Sequence, residues 1–368
     1  MPNFDVIVLE WVTMGTGNME FLTEFWRDFY KHAENTFLAA SDPQQRVYIL
    51  YLVTSMIIAF IIYRSAKGRL SSDEKTFLGF LFPKKVWSHP SAWLDLRYFF
   101  FHNIFGKFFM IGLSAWVTAM GFKWTSGGIL ITQVPAQGEM SIGADIAISF
   151  MFMIVAMLFS DFVAWYCHYL QHKSPLLWQF HKVHHSSEVM HPVSNYREHP
   201  VDNLMYIIVI GAAYGAMLGL VVRFLDYAPS MPTLLGVPLM MLAFNLVGYN
   251  LRHSHVWLRW PGKLSMIFPS PAHHHVHHSS HPDHIDKNFA FMFPIWDVIF
   301  KTYEMPEDNR DVKFGIGEGN ADELTSCTRL YWVPFRDAFR VMKAQTKGVE
   351  FNMSKPEPVE DRKIHPAE

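Results

Sequence analysis

At 368 residues the chain could form one large domain or two ordinary ones. Half of it is hydrophobic, 16% is aromatic and only 17% is charged, against about a quarter charged in a soluble globular protein. That is the composition of a membrane protein with polar segments attached. A formal net charge of -2 gives no electrostatic case for nucleic acid, and two cysteines, Cys167 and Cys327, are too few for a disulfide framework or a cysteine zinc site.

In chain order, the acidic stretch from Met1 to Glu20 lacks the basic-then-apolar pattern of a cleaved signal peptide. The first apolar run, Val47–Tyr63, carries no charge over 17 residues, the short end of what crosses a hydrocarbon core about 30 Å thick. Further spans are predicted at Phe108–Phe122, Ile146–Tyr166, Leu204–Val222 and Leu234–Gly248. The second extends as a helix back to Arg97. Pro229, Pro232 and Gly236 also allow the last two to be a re-entrant pair. Arg64, Lys67, Arg69, Lys75, Lys84, Lys85 and Arg97 lie between the first two spans, which places that segment in the cytoplasm. The segments after the third and fifth spans then return to the same side. They hold nearly all the histidines.

Sixteen of the 20 histidines fall between His168 and His284. His168 and His172 are four apart; His181, His184 and His185 form HKVHH; His274, His277 and His278 form HHVHH. Positions i, i+3 and i+4 share a helix face, so each group aims its rings in one direction. By chance one HxxHH is expected about 0.06 times in a chain of this histidine content. Neutral imidazole suits iron, zinc, copper or nickel. Eight such ligands exceed the four of one tetrahedral zinc and suffice for two metals with open positions. Carboxylate-bridged di-iron bundles pair Glu-x-x-His motifs; here Glu188-x-x-His191 occurs once. His191, His255, His273, His275, His281 and His284 lie outside the repeated spacing and read as packing or hydrogen-bonding residues, while His199 and His253 stand between the two readings.

The order HxxxH, HxxHH and a later HxxHH resembles the fatty acid hydroxylase (sterol desaturase) superfamily. SDFVAWYCHYLQH (Ser160–His172), LLWQFHKVHHSS, NYREHPVDN (Asn195–Asn203) and SPAHHHVHH, followed by Asp286-Lys-Asn288 and Trp296-Asp297…Phe300-Lys-Thr-Tyr303, are similar to its successive motifs. The resemblance runs from about Asp95 to Tyr303. Ala290 and Lys301 depart from it, each standing where glycine is common. The family match implies that His253 joins the eight patterned histidines as a ligand, with His199 as an additional candidate. It implies two non-haem irons, with zinc able to replace them in a purified preparation. It divides the chain into residues 1–87 (an N-terminal segment with the first span and a basic cytoplasmic loop), 88–305 (the family-like di-iron domain), 306–346 (a C-terminal cytoplasmic extension) and 347–368 (a disordered tail).

Asp161 lies seven residues before His168, on the same helical face as Trp165 and His172. A carboxylate in a span costs roughly 2.5–3.5 kcal/mol, so Asp161 should have a partner. The expectation is that it orients a ligand histidine, the alternative being a helix-packing hydrogen bond. The sequence has no GxGxxG, cysteine cluster or haem-type signature, so an external electron donor is implied. The expected fold is all-α: a polytopic bundle of about four or five membrane helices under a helical cytoplasmic cap holding a di-metal histidine cluster. The expected activity is O2-dependent hydroxylation of a fatty-acyl or sterol-like lipid drawn from the bilayer. Desaturation and ether-lipid oxygenation are the alternatives within the superfamily. The rival class is a histidine-rich metal transporter or sensor, which would place its ligands near mid-span.

Overall fold

The computed structural model describes residues 18–66, 68, 70–135, 141–306, 312–317 and 323–347. Lys67, Arg69 and the tail expected to be disordered, beyond Lys347, lie outside the described residues. In chain order the principal helices are α1 (Asn18–Phe37), α2 (Ile49–Ala66), α3 (Pro90–Phe101), α4 (Ile111–Thr125), α5 (Ile142–Lys173), α6 (Pro175–His185), α7 (Pro200–Leu225), α8 (Leu239–Leu246), α9 (Pro271–His277), α10 (Ile295–Phe300) and α11 (Cys327–Thr346). One antiparallel pair of two-residue strands, β1 (Thr233–Leu234) and β2 (Val237–Pro238), joins α7 to α8.

Among the described residues three helices are long and apolar enough to cross a membrane: α2, α5 and α7, of 18, 32 and 26 residues. They are the first, third and fourth predicted runs, and they expose large aliphatic side chains such as Ile57, Ile61, Ile154, Val155, Ile208 and Val209. The second run is α4, of 15 residues. The fifth is not a crossing helix. The β1–β2 turn, with Leu235 and Gly236 at positive φ, occupies its first part, and α8 has only eight residues, about 12 Å of rise.

Small residues bring α4 and α7 together. Gly211, Gly215 and Gly219 recur one turn apart on α7, and a Cβ at Gly215 would sit 2.0 Å from the Thr118 carbonyl oxygen. The Thr125 hydroxyl donates across this contact to the Ala216 carbonyl at 2.8 Å. In lipid, close backbone approach replaces the hydrophobic effect as the source of helix association. Gly215→Val should therefore push the helices apart and cost at least about 1–3 kcal/mol. Detergent-solubilised protein should show this as a lowered unfolding temperature, and an unchanged temperature would refute it.

With 32 residues, α5 rises about 48 Å, more than the hydrocarbon core needs, so its last turns project and carry His168 and His172. Ser174 ends α5, and Pro175, unable to continue that helix, starts α6. Ser174 also caps α6, accepting from the Leu177 amide. The polar layer is locked by one buried network. Asp95 on α3 accepts a short hydrogen bond from Arg197 Nε and lies 3.0 Å from His191 Nε2 and 3.2 Å from the Ser187 hydroxyl. The other arms of Arg197 donate to the Ser186 and Ser91 carbonyls at 3.1 and 2.9 Å. This ties α3 to the loop leaving α6. Helix α11 covers the outer side of α6, where Lys182 Nζ donates to Asp337 at 2.7 Å.

Candidate metal centre

Four segments, α5, α6, the loop after α8 and α9 with its C-cap, bring nine histidines together in two groups: His168, His172, His181, His185 and His277 in the first, His184, His253, His274 and His278 in the second. Within each group one ring nitrogen from every histidine lies within 4.8 Å of those of the others. Each HxxHH box is split. His181 and His185, four apart, face the first group while His184 turns to the second; His274 and His278 face the second while His277 turns to the first. Neighbouring helix positions diverge by about 100°, so adjacent rings end up on different groups.

The ring nitrogens fit a pair of metal ions. His172 Nε2, His185 Nε2 and His277 Nε2 are buried without a hydrogen-bond partner, which is costly unless something else takes their lone pairs. His168 and His181 approach at 3.1 Å between Nε2 atoms, His253 and His274 at 2.8 Å, His274 and His278 at 3.0 Å. Two donors each about 2.0–2.1 Å from one ion and near a right angle would be separated by about 3 Å.

The remote ring nitrogens are held by partners that set orientation. His168 Nδ1 pairs with the Phe289 carbonyl at 2.8 Å, His277 Nδ1 with the Lys287 carbonyl at 2.8 Å and His253 Nδ1 with the Ser194 hydroxyl at 2.9 Å. His184 Nδ1 lies 3.3 Å from the Arg197 carbonyl, His181 Nδ1 3.3 Å from Asp202 and His172 Nδ1 3.5 Å from Asp286. Among the described residues His278 Nδ1 has no such partner, and His274 has one of the opposite kind. A guanidinium nitrogen of Arg252, a donor, lies 3.2 Å from its Nδ1, so this ring is the weakest of the nine as a ligand through Nε2.

Two expected site residues lie elsewhere. Asp161 meets none of the nine rings; its carboxylate accepts the Met292 and Phe293 amides at 2.8 and 3.0 Å. Helical spacing put it on the face of His168 but two turns, about 10.5 Å, along the axis. His199 joins neither group, because it is the N-cap of α7: Nδ1 accepts from the Val201 amide and Nε2 pairs with the Tyr331 carbonyl. The carboxylates that do reach clustered rings are Asp286 at His172 and, at His181, Asp202, which also accepts from Gln171 at 3.2 Å. Asp202 stands two residues before the predicted span Leu204–Val222, so the insertion cost that marked Asp161 did not mark it.

The loop from 286 to 303 is fixed by Asp297, which accepts from the Phe289 and Ala290 amides, Trp165 Nε1 and the Thr302 hydroxyl. Lys301, where glycine was expected, has φ 61°, in the left-handed region glycine favours. Lys301→Gly should stabilise the protein by up to about 1 kcal/mol, read as a raised unfolding temperature; a lowered one would show that the lysine side chain compensates.

Burial keeps these imidazoles neutral. It pushes His184 down to about 4 and His181, His185, His253, His274, His277 and His278 well below the ordinary value, with crowding by neighbouring rings, and by Arg252 at His274, adding to it. The same rings in an unfolded chain take up protons below about pH 6.5. The metal-free fold should hence be insensitive to these groups above that pH and lose stability as pH falls from about 6.5 towards 4. Thermal unfolding of chelator-treated protein at about pH 7.5 and about pH 5 checks this; equal stability at both contradicts it.

Three long apolar helices beneath two buried histidine groups, each able to hold a metal ion, define a membrane-embedded histidine-cluster protein. The fatty acid hydroxylase family model matches residues 153–302, which include all nine histidines, so this segment is similar to the fatty acid hydroxylase (sterol desaturase) superfamily in the part that carries the two histidine groups. Alkylglycerol monooxygenase from Homo sapiens is 31% identical over 161 residues, 44% of this chain and 32% of that protein. The Caenorhabditis elegans alkylglycerol monooxygenase is 26% identical over 163 residues, 44% of this chain and 29% of that protein. Ornithine lipid hydroxylase OlsE from Rhizobium tropici is 27% identical over 164 residues, 45% of each chain. The chain thus covers less than half the length of these relatives. No solved structure matches it.

Proposed function

We propose that this protein is a membrane-bound non-haem di-iron monooxygenase that hydroxylates a lipid. The reading rests on the two neutral histidine groups forming one wall of a cavity of about 470 Å³ whose other side, Met110, Ser114, Ala164, Ile207 and Ile210, comes from α4 and the turn before it, α5 and α7. Iron bound there would supply the oxidising power to activate dioxygen against a C–H bond. The protein orients the rings through Asp202, Ser194 and backbone carbonyls, keeps them unprotonated by burial, and offers an apolar wall along which a lipid chain excludes water. The balance is one C–H bond, one O2, two electrons and two protons giving one C–OH and one water, the electrons arriving from an external carrier. Asp95 and Arg197 tie the segment holding Lys84, Lys85 and Arg97 to the histidine layer, so the positive-inside rule supports a cytoplasmic centre accessible to such a carrier.

A second reading, oxidation beside the ether oxygen of an alkyl lipid, is favoured by the relatives named alkylglycerol monooxygenase. A metal transporter fits less well, because the rings lie at helix ends and in loops. The test is dioxygen uptake by iron-loaded protein with a reductant, with mass spectrometry of lipids from cells with and without it. A lipid gaining about 16 mass units supports hydroxylation. Bound iron with no dioxygen use under any reductant overturns the reading.

A further inference from the structure

We propose, resting on the reading of this cavity as the substrate site, that Lys107 and Arg46 receive the anionic group of a lipid head, a phosphodiester or a carboxylate. Beside the histidine and apolar walls, the cavity has a polar wall including Arg46, Lys107, Asn195, Glu198 and Tyr249. Arg46 is partly satisfied: it donates to Glu198 at 2.8 Å and to the Asn195 carbonyl at 3.0 Å. Lys107 is not. It sits on the turn between the π-helical segment His102–Gly106 and α4, half-buried, with its ammonium 5.0 Å from the Tyr196 ring centroid. Among the described residues no side chain forms a hydrogen bond or ion pair with that ammonium.

Charge over the cavity points the same way. Arg46, Lys107 and Arg252 stand against Glu198 and Asp202, three cations to two carboxylates. Asp202 is engaged by Gln171 and His181, and the neutral rings offset nothing. A withdrawn ammonium with no carboxylate in contact is expensive. A phosphodiester or carboxylate would remove that cost, and a neutral glycerol head would not.

The wall also sets how far the head lies from the histidines. Asn195 follows Ser194, which pairs with His253, and Glu198 follows Arg197, whose carbonyl pairs with His184. The cavity, about 470 Å³, is of small-ligand size. It encloses a head and the first carbons of a chain, the rest remaining among the spans. The carbons presented to the rings are those next to the head.

The test is equilibrium binding to the iron-loaded full-length protein in detergent, without dioxygen or reductant. The probes are phosphatidylglycerol, oleic acid and dioleoylglycerol, against wild type, Lys107→Gln and Lys107→Arg. Wild type should bind at least one anionic probe about tenfold more tightly than dioleoylglycerol. Preference for phosphatidylglycerol identifies the phosphodiester and preference for oleic acid the carboxylate. Lys107→Gln should lose the preference and Lys107→Arg retain it. Equal affinity of wild type for all three probes overturns the proposal, even if Lys107→Gln fails to fold; so does an undiminished preference in a folded Lys107→Gln protein. Anionic preference in a protein that never consumes dioxygen would keep the head site and remove the oxygenase reading. The converse pair of results would do the opposite.

Discussion

His185→Ala should reduce bound iron from about two per chain to one or fewer and lower lipid hydroxylation by more than 100-fold, since merely losing a partner behind a ligand costs about 10–100-fold. His185 has a buried Nε2 without a partner, its ring stacks on His278 at 4.4 Å between centroids, and it belongs to the five-ring group. Removing it opens a gap where both groups meet. The control is His281→Ala, a histidine from the same region whose side chain is 53% exposed and belongs to neither group; it should keep its iron and activity. Metal content of the purified proteins, measured beside product formation, decides the matter. Two irons in His185→Ala, or equal losses in both variants, would refute the assignment.

What the sequence made legible was local. The HKVHH and HHVHH boxes declare the ligand type and number, though each box divides between two groups instead of aiming its rings in one direction, and the uncharged runs that become α2, α5 and α7 declare themselves by composition. What it hid depends on contacts far apart in the chain. The spacing gives eight rings and turns His184 away from His185, but which distant rings complete each group depends on how α9 and the loop after α8 dock. Periodicity put Asp161 on the right face and could not give its height along α5, whereas Asp202 reaches His181 only because α7 starts beside α6. His253, placed by family resemblance, has no repeated spacing to mark it. Lys107, a single cation at the edge of an apolar run, gained meaning only when its surroundings showed no carboxylate bonded to it. The fifth apolar run misled because hydropathy does not register a two-residue turn at Leu235 and Gly236.

Asp95→Ala should be among the most damaging substitutions outside the histidines, costing about 3–5 kcal/mol, the penalty for breaking a buried ion pair from one side. Asp95 and Arg197 are each at most 2% exposed, and among the described residues no other carboxylate bonds to the Arg197 guanidinium. The variant would leave a buried cation held only by the Ser91 and Ser186 oxygens and would free His191 as well. Damage should spread to the metal centre, since the Arg197 carbonyl supports His184 and the same loop carries Ser194 to His253. Asp95→Asn, which keeps the shape and one acceptor but no charge, should fall between wild type and alanine. The measurement is thermal unfolding together with iron content for all three proteins. If Asp95→Ala unfolds within about 0.5 kcal/mol of wild type, the network is not what fixes the second histidine box. The positions of His184 and His253 would then have to come from the packing of α6 against α11 instead.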